Sequence, residues 1–317
     1  MSILDFERPI FELETKISEL KNFGSNKNIS LEPEIKKLEQ KLEKMKADIY
    51  NSLTAWQRVQ IARHPDRPYT LDYLRMMATD FVELHGDRQF ADDLALIGGF
   101  AKLNGERVLA IGHQKGRDTK ENIRRNFGCA HPEGYRKAMR LMQLAERFHL
   151  PVVILIDTPG AYPGVGAEER GQAQAIASNL KDMTQISIPI VATIIGEGGS
   201  GGALAIGVAD RVLILQHAYY SVISPEGCAS ILWRSSVKAP EAAEALKLNG
   251  EHLIKFGVVD EIIPEPLGGA HRNPEEVAAD LKKAILKNLK ELSSLSKKEL
   301  LDSRYKKFRS IGEFAKS

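Results

Sequence analysis

IPIVATIIGEGGSGGALAIG, Ile188 to Gly207, is the stretch whose reading decides the fold. Its first half is a short apolar run rich in β-branched residues, which reads as a buried strand. Five glycines then fall between Gly196 and Gly202, and ALAIGVA follows as a short helix. Glycines at such a junction let the backbone approach a ligand and leave amide N–H groups free to point at it. The helix adds positive potential at its N-terminus. The junction therefore suits an anion or a developing oxyanion. A tight turn packed with small residues explains the same letters without chemistry, and the stretch alone does not separate the two readings. The stretch is read as neither GxxxxGK[ST] nor GxGxxG, so a nucleotide fingerprint is not the natural reading.

Working outward, the same alternation repeats. PVVILID is a buried strand that ends in the loop TPGAYPGVG, and AEERGQAQAIASNLKDM follows as a helix. After the glycine stretch come two strands, RVLILQ and YYSVIS, then PEGCASILW with Pro225 at a first helical position. EAAEALKL and EHLIKF read as short helices, VVDEIIP as a strand, and NPEEVAADLKKAILKNLKEL as a long amphipathic helix. Such alternation predicts a parallel-type sheet flanked by helices. Both glycine-rich loops leave the C-terminal ends of their strands, the edge where open α/β sheets bind ligands.

Upstream, LALIGGFAKL and RVLAIGHQ read as strands joined through Asn104-Gly105, a hairpin signal. Thr70 is a candidate N-cap for a helix through Leu84, with Leu71, Leu74, Met77, Phe81 and Leu84 inward. RHPDRP, Arg63 to Pro68, reads as a punctuated linker. Before it, two helices carry Ile10, Leu13, Ile17 and Leu20, then Ile35, Leu38, Leu42, Met45, Ile49, Leu53 and Trp56, broken at KNFGSNKN. The division expected is a helical hairpin over 1–64, a main domain over 65–296, and a basic, helical and peripheral tail over 297–317.

Composition bounds the function. A chain of 317 residues with 43% hydrophobic and 27% charged content is ordinary for a globular protein. No apolar run approaches the ~18 residues that span a bilayer. The start, MSILDFERPIFELE, lacks the cationic-then-apolar order of a signal peptide. Cys129 and Cys228 alone make neither a zinc site nor a disulfide framework, so a reducing, cytoplasmic setting is expected. A net charge of +2 says little about partners, but residues 113–147 hold nine cations against four anions. Lys115, Arg117 and Arg125 are thereby candidate anion contacts, against a solvated helix face as the plain alternative. The helix expected in this segment runs from Glu133 to Phe148, with Ala138, Leu141, Met142, Ala145 and Phe148 inward.

The two glycine loops, Thr158 to Gly171 and Gly196 to Gly207, together with SVISPEGCASILW, RRNFG, PEGYRKAMRLMQLAERF and IIPEPLGGAHRNP, carry a resemblance. The chain resembles the carboxyltransferase α subunits of bacterial-type, multisubunit acetyl-CoA carboxylases, within the crotonase-like superfamily. The resemblance runs from about residue 5 to about residue 312.

It implies an α/β, crotonase-like (ClpP/crotonase) fold of repeated ββα units. It implies transfer of a carboxyl group from carboxybiotin, held on a separate biotin carboxyl carrier protein, to acetyl-CoA, giving malonyl-CoA for fatty acid synthesis. It further implies an α2β2 assembly with a β subunit that bears a four-cysteine zinc ribbon, no metal in this chain, and ATP used only by a separate biotin carboxylase. Gly201 and Gly202 match the backbone oxyanion hole of the α subunit. Gly198 and Gly199 shape the same turn, and Gly160, Ala161, Tyr162, Gly164, Val165 and Gly166 line the carboxybiotin side.

Glu197 and Glu226 are candidates for acid/base groups or for caps, and His113, His131 and His271 for loop histidines. Two other readings remain: a stand-alone enoyl-CoA hydratase or isomerase, which needs placed carboxylates, and a noncatalytic scaffold or nucleic-acid binder, which needs aromatics among the cations.

Overall fold

The computed structural model describes residues 3–27 and 31–312. Helices α1 (Arg8–Lys27) and α2 (Glu32–Asn51) pack on each other through Ile10, Ile17 and Leu42. The predicted break at KNFGSNKN comes late, because α1 runs through Lys27; residues 28–30 lie outside the described residues. The second predicted helix is two. It stops at Asn51, and Thr54 starts α3 (Ala55–Ala62) with a capping box to Gln57, so Trp56 belongs to α3.

Helix α4 (Thr70–Met77) ends seven residues before the predicted Leu84. The chain turns instead into strand β1 (Thr79–Glu83), which pairs antiparallel with β2 (Leu96–Leu103). Thr70 is not the cap: its hydroxyl donates to the His113 carbonyl at 2.6 Å, tying α4 to β3 (Glu106–His113). The β2–β3 hairpin forms in full register across Asn104-Gly105, as expected.

After α5 (Thr119–Arg124) and α6 (Pro132–Arg147), strand β4 (Val152–Thr158) runs parallel to β3. Phe148, predicted inward, is 62% exposed just past the end of α6. The next predicted helix is also two, α7 (Val165–Glu169) and α8 (Gln172–Met183), parted at Gly171 with φ +82°. Strand β5 (Ile190–Gly199) pairs with β4 on one side and with β6 (Arg211–Leu215) on the other.

Strand β5 swallows half of the predicted glycine loop. Gly196, Glu197, Gly198 and Gly199 are buried strand residues, because β4 and β7 (Tyr219–Ser221) pair with them from both sides. Helix α9 (Ser200–Leu204) then starts at Ser200 and contains Gly201 and Gly202. The last elements are α10 (Pro225–Trp233), α11 (Ala239–Leu246), α12 (Gly250–Lys255), β8 (Glu261–Ile263), α13 (Pro274–Ser293) and α14 (Lys297–Arg309). The sheet order is β1-β2-β3-β4-β5-β6-β8, with β7 pairing β5 off that path. All strands from β3 onward pair in parallel, so β4 and β5 are covered on both faces and wholly buried.

Two buried arginines fasten the periphery to this sheet. Arg67, read as linker, is 1% exposed. It donates to the Ile195 carbonyl and bidentately to Glu265 at 2.6 and 2.8 Å. Arg304 does the same for the tail, which is docked rather than peripheral. Its guanidinium reaches Asp210 at 2.7 and 2.8 Å and the carbonyls of Met183, Ile186 and Ile188. Asp210 also accepts the Ile190 amide, so α14 holds the start of the strand that leads to the glycine turn. Residues 313–317 of the tail lie outside the described residues.

Candidate active site

The β5–α9 junction is a turn with two different sides. Ser200 takes φ +52°, a left-handed conformation that costs a non-glycine residue energy and that the buried strand enforces. Gly202 faces inward: a Cβ there would lie 2.4 Å from the Gly160 carbonyl carbon and 2.6 Å from the Ala161 nitrogen. Gly199 likewise backs onto the Pro159 carbonyl, where a Cβ would meet the oxygen at 2.1 Å. The two glycine loops therefore touch backbone to backbone. Gly201 faces outward, where a Cβ would find only Ile176, at 3.7 Å. It lines a cleft of about 310 Å3 with Leu204, Tyr220, Val222, Leu253 and Val258. The first turn of α9 has no side-chain cap.

Gly196, Gly198 and Gly201 do keep GxGxxG spacing, but the first two are strand residues. Asp157 and the Tyr220 ring occupy the places where their Cβ atoms would stand, at 2.6 and 2.8 Å. That is packing, not a loop around a pyrophosphate.

Behind the turn lies a buried charge network. Lys115 Nζ donates to Asp157 Oδ1 at 2.7 Å and Glu197 Oε1 at 2.9 Å. Glu197 Oε2 accepts from Arg63 Nε at 2.7 Å and from the Tyr219 hydroxyl at 2.6 Å. Arg63 continues to Glu226 at 2.5 Å, and the Glu197 amide donates to Asp157 at 2.9 Å. Burial pushes the Glu197 carboxyl up, yet Lys115, Arg63 and Tyr219 together pull it down to about 2. Burial works against the Lys115 charge, but Asp157 and Glu197 raise its pKa above the usual range. Glu197 is thus a fixed carboxylate whose two oxygens both accept from neighbouring donors, unsuited to deliver a proton. Arg63, Asp157 and Tyr219 were not singled out in the sequence. A strand-ending Asp before TPG was the one available signal, because the partners stand 22 to 163 residues apart.

The other candidates spread out. Arg117 lies over the Tyr69 ring, donates to the carbonyls of Pro65 and Arg67, and pairs with Asp72. Arg125 pairs with Glu121 and donates to the Leu94 carbonyl. Arg117 and Arg125 are thus satisfied by carboxylates and carbonyls of the fold itself. Of the three candidate anion contacts, only Lys115 reaches the base of the turn.

Tyr162 stacks on His131 at 4.1 Å, and Gly164 makes room for its ring. Val165, at the start of α7, is 75% exposed, with Gly166 beside it in the same helix. His113 is fully buried; burial, then the Lys115 charge, push it down to about 3, so it stays neutral. Burial pushes the Cys129 thiol up to about 11.

Glu7, His64 and His271 bring three possible metal ligands within 4.8 Å. The two rings stack in parallel at 3.9 Å, so their in-plane lone pairs do not converge. His64 Nδ1 also accepts the Asp66 amide. The trio reads better as packing beneath the N-terminal hairpin.

Comparison with known proteins extends this geometry. The family model described as acetyl co-enzyme A carboxylase carboxyltransferase-like matches residues 3–312. The acetyl-coenzyme A carboxylase carboxyl transferase subunit alpha of Geobacter metallireducens is 59% identical over 312 residues, covering 98% of both chains. The protein of the same name from Coxiella burnetii, strain RSA 331, is 60% identical over 313 residues, covering 99% of both. Among solved structures, a transcarboxylase 12S superposes at TM-score 0.58 and 21% identity, over 72% of this chain and 42% of that one. A Pseudomonas malonate decarboxylase hetero-tetramer with coenzyme A superposes at 0.58 and 18%, over 74% and 91%. These structural likenesses establish a shared architecture, the crotonase-like α/β fold.

Proposed function

This chain belongs to the acetyl-CoA carboxylase carboxyltransferase-like family, and from that premise we propose how its glycine turn serves the reaction. The chain is a transferase subunit of the α type, acting in carboxyl transfer to acetyl-CoA. Malonyl-CoA formation needs the enolate of acetyl-CoA, and release of CO2 from carboxybiotin leaves negative charge on the ureido oxygen. Both are oxyanions, and each pre-aimed N–H donor is worth about 3–4 kcal/mol of barrier.

The observation that carries the proposal is the outward face of the β5–α9 turn: uncapped amides beside Gly201, opening on an apolar cleft. In this reading Gly201 and Gly202 present the amides that hold the ureido oxygen of carboxybiotin. Gly202, with Gly198 and Gly199, seats the turn against Gly160 and Ala161, while Tyr162 to Gly166 form the rim on the biotin side. The carboxyl donor is carboxybiotin on a separate carrier protein, charged by a biotin carboxylase that alone uses ATP. The ureido ring serves as base once CO2 has left. That fits Glu197, which is saturated, and it weighs against a stand-alone hydratase, which would need free carboxylates at the turn.

Among the described residues one such turn is present and two oxyanions form, so a β partner supplies the second hole, in an α2β2 assembly with the zinc ribbon on β. We place the working part in residues 65–296, with 1–64 and 297–317 bracing it, and the complex in the cytoplasm. Among the described residues no helix is long and apolar enough to cross a membrane. The test is partner dependence. The purified chain alone should not decarboxylate malonyl-CoA in the presence of biotin, and adding the zinc-bearing partner should restore the reaction. Equal rates with and without the partner would overturn the division of labour.

A further inference from the structure

Beyond the glycine turn, on the other side of α8, lies a larger cavity of about 590 Å3. Ile176 of α8 faces Gly201, whereas Gln174, Ala175 and Asn179 of the same helix face this cavity. Four arginines line it: Arg88, Arg136, Arg140 and Arg170.

Two of them are matched. Arg136 Nε donates to Asp87 at 2.8 Å, and Arg170 Nε donates to Glu133 at 2.5 Å. Asp87 is already in heavy use, because its other oxygen accepts the amides of Gln89, Phe90 and Ala91. The other two have no carboxylate partner within hydrogen-bond distance among the described residues. Arg88 Nη1 and Arg140 Nη2 converge on one acceptor, the His85 carbonyl, at 2.9 and 3.2 Å. The remaining contact of Arg140 is the Gly86 carbonyl at 3.0 Å. Arg88 takes a left-handed φ of +64°. Two guanidinium groups therefore share one neutral oxygen beside a cavity; burial and the Arg88 charge work against the Arg140 charge, and Asp87 and Asp92 offset them only in part.

An anion between two such like charges relieves their repulsion, even with Asp87 and Asp182 also on the cavity wall, and guanidinium forks fit phosphate oxygens bidentately. A single carboxylate leaves most of the ten N–H donors of two guanidinium groups unmet, whereas a diphosphate offers many more acceptor oxygens. A cavity of this size accepts a nucleotide-sized molecule. The uncapped first turn of α8, starting at Gly171 on the cavity wall, adds to the positive potential.

We propose that this cavity binds a small molecule carrying a diphosphate group, with Arg88 and Arg140 holding its oxygens and Arg136 and Arg170 flanking them. The site goes beyond the carboxyl-transfer reading and does not depend on it, since binding is measured without turnover.

The test is titration calorimetry on the full chain in its native assembly, at about 0.15 M salt to suppress loose charge attraction. The probes are inorganic pyrophosphate, ADP and coenzyme A. Saturable one-to-one binding of at least one probe is expected. Arg88→Gln with Arg140→Gln should weaken it at least about tenfold, because hydrogen bonds to charged groups are among the strong ones. Ser178→Glu, which sets a negative charge on the cavity wall and leaves the arginines intact, should weaken it as well. Arg147→Gln, an exposed cation elsewhere on α6, should leave it unchanged.

Equal binding of pyrophosphate and ADP would identify the diphosphate as the group recognised. Coenzyme A binding that falls with both cavity variants would identify the occupant as the nucleotide end of an acyl-CoA, whereas coenzyme A binding that both variants leave intact belongs to the carboxyl-transfer site and, with no pyrophosphate or ADP binding, overturns the proposal. Absence of saturable binding by all three probes overturns the proposal. So does binding that survives both cavity variants, or that falls equally with Arg147→Gln.

Discussion

Gly201 and Gly202 are adjacent in the chain and opposite in surroundings. A Cβ on Gly202 would stand 2.4 Å from backbone of the neighbouring loop, whereas one on Gly201 would meet only the end of Ile176 at 3.7 Å. Neither carries a positive φ. The glycine at 202 is required by packing, since two loops from neighbouring strands touch there. The glycine at 201 is required by neither packing nor backbone conformation, and it borders the open cleft. One motif thus holds a packed glycine and a cleft-facing glycine side by side, and substitution at the two positions should fail in different ways.

The largest effect is expected at Gly202. Gly202→Val must push backbone, not a flexible side chain, so thermal stability and soluble yield should fall steeply, with activity tracking folded protein. Overpacking costs about 1–3 kcal/mol where side chains can give way; backbone at 2.4 Å cannot give way, so the loss at Gly202 should exceed that range. A Gly202→Val protein that melts like the parent would erase the contrast between the two positions. This differs from what the motif suggests by itself, where a variant at 202 damages catalysis and spares the fold.

Next comes the charge network that supports the turn from behind. Lys115→Met leaves Asp157 and Glu197 without their shared cation, and an orphaned buried charge costs about 3–5 kcal/mol before relaxation. Water entering from the nearby polar pocket of about 210 Å3 will lessen that loss, which places it below the Gly202 effect. Denaturant midpoints measure it. A loss below about 1 kcal/mol would mean that Arg63 and Tyr219 hold Glu197 without help.

A smaller effect is expected from acid. His113 and His271 are held down to about 3 and His217 to about 4, chiefly by burial, so all three are neutral in the fold. In the unfolded chain they protonate near 6.5. Their stabilisation is therefore complete above that value and is lost progressively as pH falls from about 6.5 toward 3 to 4. Glu197 and Glu265, both held to about 2, add a second loss below about 4.5. Stability should begin to fall between about pH 7 and pH 5, before carboxylates titrate. A flat midpoint across that range would show that the histidines are not buried as described.

Much of this architecture is legible in the chain. The Asn104-Gly105 hairpin, the apolar runs of β4 and β5, and Pro225 at the head of α10 each carry a local signal, and each forms as read. What failed was decided by distant partners. Phe81 continues a helical period from Leu71, yet β2 recruits Thr79–Glu83 as an edge strand. Gly196 to Gly199 look like a loop because glycine favours none of the regular structures, yet two flanking strands keep them extended. Arg67 and Arg304 look like linker and tail because their acceptors lie 94 to 198 residues away. The site shows the same limit. Its glycines are visible, but which of them faces the cleft depends on where the 159–161 loop lies.

The smallest loss of stability belongs to Gly201, where a side chain has room, and that position tests the account most directly. Gly201→Val should be made with its partner subunit, and melting temperature, complex mass and kcat measured on one preparation. The account predicts a protein that melts near the parent and assembles normally. Its turnover should be lowered on the order of a hundredfold, because a reacting group displaced by about 1 Å loses that much. A stable, assembled Gly201→Val enzyme with near-normal turnover would contradict the claim that the outward face of this turn holds the reacting oxygen.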